Sequence, residues 1–372
     1  MIKYLGSKRR LAPLILRVVD GLWEGSSRPC ALDLFSGTAR VGHALKGAGC
    51  RVVANDYNAY ARTLAGCYVA ADRERVERDA ARLIDEMNGL AGRAGWFTEE
   101  YAVRSRYLHP ENAARIEAVR ERIAGLGVGP ELEAVLLTSL LEAADRVDST
   151  AGVQMAFLKR WSARATNPLF LRMPNVLRGV AAGRCEAHRM DALDAVEVLA
   201  GDIAYLDPPY NHHSYLGNYH VWETLVRWDR PEVYGIARKR VECRERRSAF
   251  NSKNGCGPAL GRVIERVMAE CIIVSFSDEG RVAREEIEGF LAARFGGAPP
   301  LTLEVDQPRY VGAKIGIYNR RGERVGKVGR LENRERLYVA AAPARLERLR
   351  RRLAEEAAPE VRILGAGATA AA

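Results

Sequence analysis

Cys30-Ala31-Leu32-Asp33-Leu34-Phe35-Ser36-Gly37-Thr38 is an apolar run closed by a turn of small residues. Its composition predicts a buried strand over residues 31–35, and residues 39–45 read as the helix that follows. A strand, a glycine turn and a helix N-terminus in that order cradle a nucleotide-like group, because free backbone N–H groups and the helix dipole both face it. Gly37 and Gly42 do not have the GxGxxG spacing of dinucleotide enzymes. A second predicted strand, residues 51–55, ends at Asn55-Asp56. Asp56 lies 19 residues after Gly37, about where an acid that takes ribose hydroxyls belongs. The chain therefore opens as a Rossmann-like βαβ unit.

Further apolar runs predict strands at 186–190, 203–207, 271–276, 301–305 and 312–318, with helical patterns between most of them. The pattern is α/β: a doubly wound, mostly parallel Rossmann-like sheet with a terminal hairpin. Between residues 61 and 184 the sheet pattern stops. There Leu132, Val135, Leu136, Leu140 and Val147 mark one amphipathic helix and residues 115–123 another, which predicts an inserted helical domain. Residues 324–330 and 336–341 read as a small added hairpin, and the Ala/Gly-rich residues 357–372 as a disordered tail.

Asp207-Pro208-Pro209-Tyr210 follows the apolar run Ile203-Ala204-Tyr205-Leu206. Two prolines cannot continue a central strand, since they lack the N–H that the ladder needs. A carboxylate and an aromatic ring are thereby fixed at the carboxyl end of a strand, where open α/β sheets bind ligands. This suits an exocyclic amine, whose lone pair is delocalised into its ring. Asp207 and the carbonyl of Pro208 can each accept one amine N–H, and Tyr210 can stack on a base flipped out of its helix.

These pieces resemble the Dam-like, alpha-arrangement adenine-N6 DNA methyltransferases. Residues Lys3-Tyr4-Leu5-Gly6-Ser7-Lys8-Arg9-Arg10-Leu11 resemble that family's motif X, Asp33-Leu34-Phe35-Ser36-Gly37 motif I, Asn55-Asp56 motif II, Arg189-Met190-Asp191-Ala192-Leu193 motif III and Asp207 to Tyr210 motif IV. Val274-Ser275-Phe276-Ser277 and residues 309–319 extend the likeness to about residue 320. Ala39 departs from it, standing where the family often has a second glycine. The resemblance implies S-adenosylmethionine as cofactor, held by Tyr4, Lys8, Asp33, Phe35, Gly37, Asp56 and Asp191. Asp194 competes with Asp191 for the cofactor's adenine amine, and a helix N-cap is the other reading of Asp191. It implies a methyl group delivered by direct displacement to adenine N6 in double-stranded DNA, with Asp207, Pro208, Pro209 and Tyr210 as the catalytic turn. No catalytic cysteine and no metal are implied. A cognate restriction endonuclease is a partner the resemblance admits. The implied division is a cofactor-binding catalytic domain at 1–60 and 185–320, a target-recognition insert at 61–184 and a basic extension at 321–356. The competing functions are an RNA base-amine methyltransferase and a DNA-binding protein that has lost catalysis.

Charge bears on the partner. The net charge is +10, and residues 309–352 hold 14 Lys/Arg against 4 Asp/Glu, so the rest of the chain is neutral in sum. A basic C-terminal third suits a polyanion. Lys159, Arg160, Arg164 and Arg172 in the insert, Lys253 in the Arg/Lys-dense interval 228–253, and Arg309 and Lys314 are the candidate DNA contacts. Residues 248–253 have the donor-rich look of a phosphate clamp. The seven cysteines are scattered and form no CxxC pair, which suits reduced thiols in a cytoplasmic protein. Cys243 and Cys256 with His212-His213 fit no standard zinc spacing. Pro29-Cys30 precedes the glycine turn, which is the wrong place for the nucleophile of a cytosine-C5 methyltransferase. Leu11, Leu14, Ile15, Val18, Val19 and Leu22 make one helical face rather than a secretory signal, and no apolar run is long enough to span a membrane. The recognised DNA word and the oligomeric state are not legible.

Overall fold

The computed structural model describes residues 1–25, 27–210, 214–308, 317–318, 324–326, 332–355 and 361–364. The main sheet contains β1 (Cys30–Asp33), β2 (Arg51–Asn55), β3 (Glu186–His188), β4 (Ile203–Leu206), β5 (Cys271–Ser277), β6 (Leu301–Pro308), β7 (Glu332–Ala340) and β8 (Val361–Leu364). Their spatial order is β8-β6-β7-β5-β4-β1-β2-β3. The joins from β3 through β2, β1 and β4 to β5 are all parallel. The joins β5–β7, β7–β6 and β6–β8 are antiparallel. The order in which successive strands are laid down switches sides between β1 and β4, which run parallel with Asp33 in register with Tyr205. The two loops that leave these strands therefore emerge side by side, which is the geometry that opens a binding crevice.

Side-chain alternation divides the core. Ala31, Ile203, Tyr205 and Ile273 point into one hydrophobic cluster, with the helix Ala12–Leu22 and the helices Ala59–Ala65, Arg73–Asn88, Pro110–Ala124 and Pro130–Arg146. Leu32, Ala204, Leu206, Ile272 and Val274 point into the other, against the helices Cys256–Arg266 and Arg284–Arg294. The predicted face of the first helix, Leu11, Leu14, Ile15, Val18, Val19 and Leu22, is buried throughout. The interval 61–184 is helical as far as Arg146, but its apolar faces share the first cluster with β1 and β4 and do not form a core of their own. After that helix the chain runs in irregular form over the helices, and its main chain is held by side-chain amides. Asn112 donates to the carbonyls of Ala165 and Asn167 and accepts from Leu169 N–H.

The C-terminal strands correct the sequence reading. Of the predicted strand 312–318 only Ile317–Tyr318 is described, and it pairs with Arg324–Gly326 in a separate ribbon. The partner of β6 is β7, which was expected in the added hairpin. Leu337, Tyr338, Val339 and Ala340 are all buried, so this strand suits a place between two others and not an edge. The expected disordered tail contains β8, which covers the open edge of β6, and Arg362 pairs there with Asp306 at 2.7 Å.

The helix Pro343–Glu355 crosses the first helix at Gly21, where a Cβ would lie 2.5 Å from Leu349 Cδ1. Its arginines then close the first helix's C-terminus. Arg348 donates to the carbonyls of Gly21 at 2.9 Å and Leu22 at 2.7 Å, and Arg352 to that of Asp20 at 2.9 Å.

Ala39, at the entry to the helix Arg40–Gly47, is fully buried and left-handed, with φ 58° and ψ 22°. A Cβ in that conformation costs about 1–2 kcal/mol, which glycine avoids. Ala39→Gly is expected to raise unfolding stability by up to about 1 kcal/mol after the glycine's chain entropy is counted. Urea denaturation measures this, and a loss of stability would show that the methyl's buried contacts outweigh the strain.

Candidate active site

The turns after β1 and β4 open into one cleft, with about 1020 Å³ of non-atom space counting its mouth. Of the residues expected to bind cofactor or carry the chemistry, Tyr4, Lys8, Asp33, Phe35, Gly37, Asp56, Asp191, Asp207 and Pro209 all line it. These come from five separate stretches of chain, which the sheet register brings together.

On one side lies the turn after β1. Gly37 has φ 52°, and its N–H donates to Asp56 Oδ2 at 3.0 Å. A Cβ at Gly37 would press on the Tyr4 ring at 3.2 Å. Asp56 Oδ1 accepts from the N–H of Asn58 at 2.9 Å and from its side-chain amide at 3.2 Å. Burial raises the Asp56 carboxyl above its ordinary value, and these three donors oppose the rise. Tyr4 is stacked against both Tyr215 and Tyr219, with ring centroids 5.2 and 4.8 Å away. The ring therefore buttresses the glycine turn as well as lining the cleft. Asp191 caps the short helix Ala192–Ala195, accepting from Leu193 N–H at 2.9 Å, so the N-cap reading is realised at a residue that also faces the cleft. Asp194 is exposed and outside it.

On the other side lies Asp207. Lys8 was expected to touch the cofactor. It lines the cleft, and its ammonium bridges two carboxylates, 3.0 Å from Asp207 Oδ1 and 3.0 Å from Glu335 Oε1, with only 7% of its side chain exposed. Ser275 Oγ donates to the same Glu335 oxygen at 2.7 Å. Burial alone would lower the Lys8 pKa, but Asp207 and Glu335 outweigh it and hold the lysine charged. Burial pushes the Asp207 carboxyl up to about 6 against the pull of Lys8, and Glu335 adds to the rise. Tyr210 is half-buried and braced edge-on by Phe276 at 5.9 Å. Pro208 is buried, and the carbonyl of Pro209 takes the Cys256 thiol at 3.9 Å.

With this geometry in view, residues 4–254 match the D12 class N6 adenine-specific DNA methyltransferases. The chain belongs to that family. Relatives of the family member include the type II methyltransferase M.FokI of Planomicrobium okeanokoites, 30% identical over 78% of the chain and 46% of the relative. The modification methylase LlaI of Lactococcus lactis subsp. lactis is 29% identical over 83% of the chain and 51% of its own length. The type II methyltransferase M.NlaIII of Neisseria lactamica is 30% identical over 79% of the chain and 89% of its own. The chain thus spans about half the length of the first two relatives and most of the third.

The expected DNA contacts of this methyltransferase-family chain fare unevenly. Lys159, Arg160, Arg172 and Lys253 are exposed. Arg164 is not a free reader of DNA, since its guanidinium is held by the Asp148 carboxylate at 2.6 and 2.9 Å and by the Thr150 carbonyl. Arg309 and Lys314, like His212 and His213, lie outside the described residues. The basic interval 228–253 is largely engaged within the protein. Arg240 is buried against Asp229 and Glu242, Arg238 pairs with Glu100, and Arg246 joins Glu242 to Asn58 while lying over the Tyr57 ring at 4.2 Å. Ser248, Phe250 and Asn251 line the cleft, and Phe250 packs edge-on against Phe35 at 5.1 Å, so this stretch borders the cleft. Some described basic residues of the C-terminal third behave likewise, with Arg334 and Arg336 against Glu304 and Arg345 against Glu270. Sequence reasoning missed Arg246, Tyr215 and Glu335. Tyr215 follows the Asp207 turn closely enough to have been suspected, whereas nothing local marks Glu335.

Asp33 supplies a pH test. Its carboxylate accepts from Gly42 N–H at 3.1 Å, and burial, with the Asp207 charge added, pushes its pKa up to about 8. The folded protein therefore keeps a proton that the unfolded chain releases near pH 4, and stability falls as pH rises from there toward 8. Asp33→Asn should remove this dependence, so its stabilising effect relative to wild type should grow between pH 4 and pH 8. A difference that denaturant titration finds constant over that range would contradict the assignment.

Proposed function

We propose that the chain transfers a methyl group from S-adenosylmethionine to the exocyclic N6 of an adenine flipped out of duplex DNA. One observation carries the reading: the Gly37–Asp56 turn and the Asp207 carboxylate share a single cleft at the sheet's switch point. Membership of an adenine-specific family supports the choice of base.

The cleft fits the cofactor. Asp33 Oδ1 and Ser36 Oγ are buried there with no protein hydrogen-bond partner, and the tight turn at Gly37 leaves no room for a side chain. Asp56 would hold the ribose hydroxyls, Asp191 the adenine amine, and Phe35 and Gly37 would flank the methionine portion. When bound, S-adenosylmethionine supplies a methyl on a cationic sulfur, which keeps the C–S electron pair as the methyl passes to nitrogen.

The rest of the work falls to the chain. Asp207 accepts one N–H of the target amine and the carbonyl of Pro208 the other, which localises the nitrogen lone pair as positive charge develops there. Tyr210 stacks on the extruded base and holds it in line. After transfer the nitrogen carries one proton too many. The adjacent Asp207 carboxylate takes it and releases it to solvent. By the same reading the protein acts in the cytoplasm on double-stranded DNA, and a cognate restriction endonuclease is its expected counterpart, in keeping with two relatives being called type II methyltransferases and one a modification methylase.

Single-turnover transfer of labelled methyl to duplex DNA tests this. Asp207→Ala should bind cofactor and DNA nearly as wild type yet lose at least about a hundredfold in rate, as when an electrostatic contact to the reacting centre is removed. Tyr210→Ala should slow transfer and weaken capture of the flipped base by about 1–3 kcal/mol. Wild-type rates in Asp207→Ala, or methyl incorporation into RNA in preference to DNA, would refute the proposal.

A further inference from the structure

Lys8 poses a problem for the proposed chemistry. A lysine 3.0 Å from the Asp207 carboxylate forms with it a neutral pair, and the field of such a pair falls off within a few ångströms. An amine gathering positive charge gains little from a carboxylate so neutralised. The structure contains the remedy. Glu335 lies 3.0 Å from the same ammonium, and its side chain is only 9% exposed.

We infer that Glu335 is a positioning residue for methyl transfer: it shares the Lys8 ammonium with Asp207 and so leaves the buried cluster with a net negative charge facing the target amine. This inference rests on the function proposed above. One cation between two carboxylates gives the cluster a net charge of about −1. Lys8 holds both carboxylates in place but neutralises only one equivalent of charge. Glu335 is itself fixed, because Ser275 of β5 donates to the oxygen that accepts from Lys8. Its strand, β7, is clamped between β5 and β6, so the carboxylate cannot drift from the lysine without breaking the sheet. Residue 335 lies on β7, beyond the stretch 4–254 that matches the family. The other titratable groups facing the cluster are Tyr205, Tyr210, Tyr215 and Asp33, all neutral at pH 7 and so no substitute for its charge.

The test uses the full chain and Glu335→Gln, an isosteric change that keeps an acceptor for Ser275 and Lys8. Aspartate labelled with carbon-13 allows Asp207, identified by the signal lost in Asp207→Asn, to be titrated without DNA or cofactor. In Glu335→Gln it should titrate at lower pH, because a nearby negative charge that favoured its proton is gone. Single-turnover methylation should fall about tenfold at its pH plateau, the equivalent of one pKa unit of interaction, while its acid limb moves to lower pH and cofactor affinity by calorimetry stays unchanged. A variant that merely folds badly would lose rate without that downward shift. Lys8→Met gives a second check. If Glu335 acts through the lysine, Glu335→Gln in the Lys8→Met background should cost much less than it does alone. An unmoved Asp207 titration, or the same fold-loss in both backgrounds, would overturn the inference. A wild-type chain that methylates no DNA would instead defeat the functional reading, and the Asp207 titration would still judge the electrostatic role of Glu335.

Discussion

One buried ammonium joins three distant parts of this chain. Lys8 comes from the N-terminal segment, Asp207 from the end of β4 and Glu335 from β7, and all three meet within ion-pair distance. Burying such a cluster is costly unless every charge has a partner, and removing one member strands the others. The arrangement holds only if β4, β5 and β7 keep their register and the N-terminal segment lies across their ends. Tyr4 fixes that segment by stacking against Tyr215 and Tyr219, and Leu5 N–H donates to the Tyr219 hydroxyl at 2.7 Å. The same tyrosine presses on Gly37, so the two halves of the cleft are set by one short stretch, Tyr4 to Lys8.

The cofactor half is organised by backbone constraint. Asp56 ties down Gly37 N–H, and the chain then passes through a left-handed Ala39 into its helix. Strain at that residue persists because the buried Ala39 side chain and the hydrogen bonds around it leave no alternative path. Asp33 sits beneath the turn with one oxygen unpartnered and one on Gly42 N–H. A polar, rigid floor of this kind suits a ligand with hydroxyl and amine groups better than it suits an empty cavity.

Local pattern made much of this legible. β1, β2, β4 and β5 are short apolar runs bounded by turn residues, and the first helix shows its buried face as a clear periodicity. The Gly37 turn, Asp56 and the Asp207 turn could be found because each is a contiguous motif whose chemistry follows from a few neighbouring residues. β7 was misassigned because Glu332, Arg334, Glu335 and Arg336 make its first half look solvent-facing; in the fold Arg336 meets Glu304 at 2.9 Å and Glu335 meets Lys8, so the charges are paired inside the sheet. Net charge misled in the same way. It counted Arg164, Arg240, Arg246 and Arg348 as available to a polyanion, whereas their partners are carboxylates and carbonyls brought near only by folding. A sum of charges carries no information about pairing. Glu335 lay beyond sequence reasoning for that reason, being far along the chain from both residues it serves.

We propose that this cleft methylates adenine in DNA. The most direct test is to produce the protein in a bacterial host free of DNA methylation and to map modified bases across that host's DNA. The expected result is N6-methyladenine at essentially every copy of one short sequence and no other modified base. Unmodified DNA from cells that contain the folded, cofactor-binding protein, or methyl groups on cytosine instead, would contradict it.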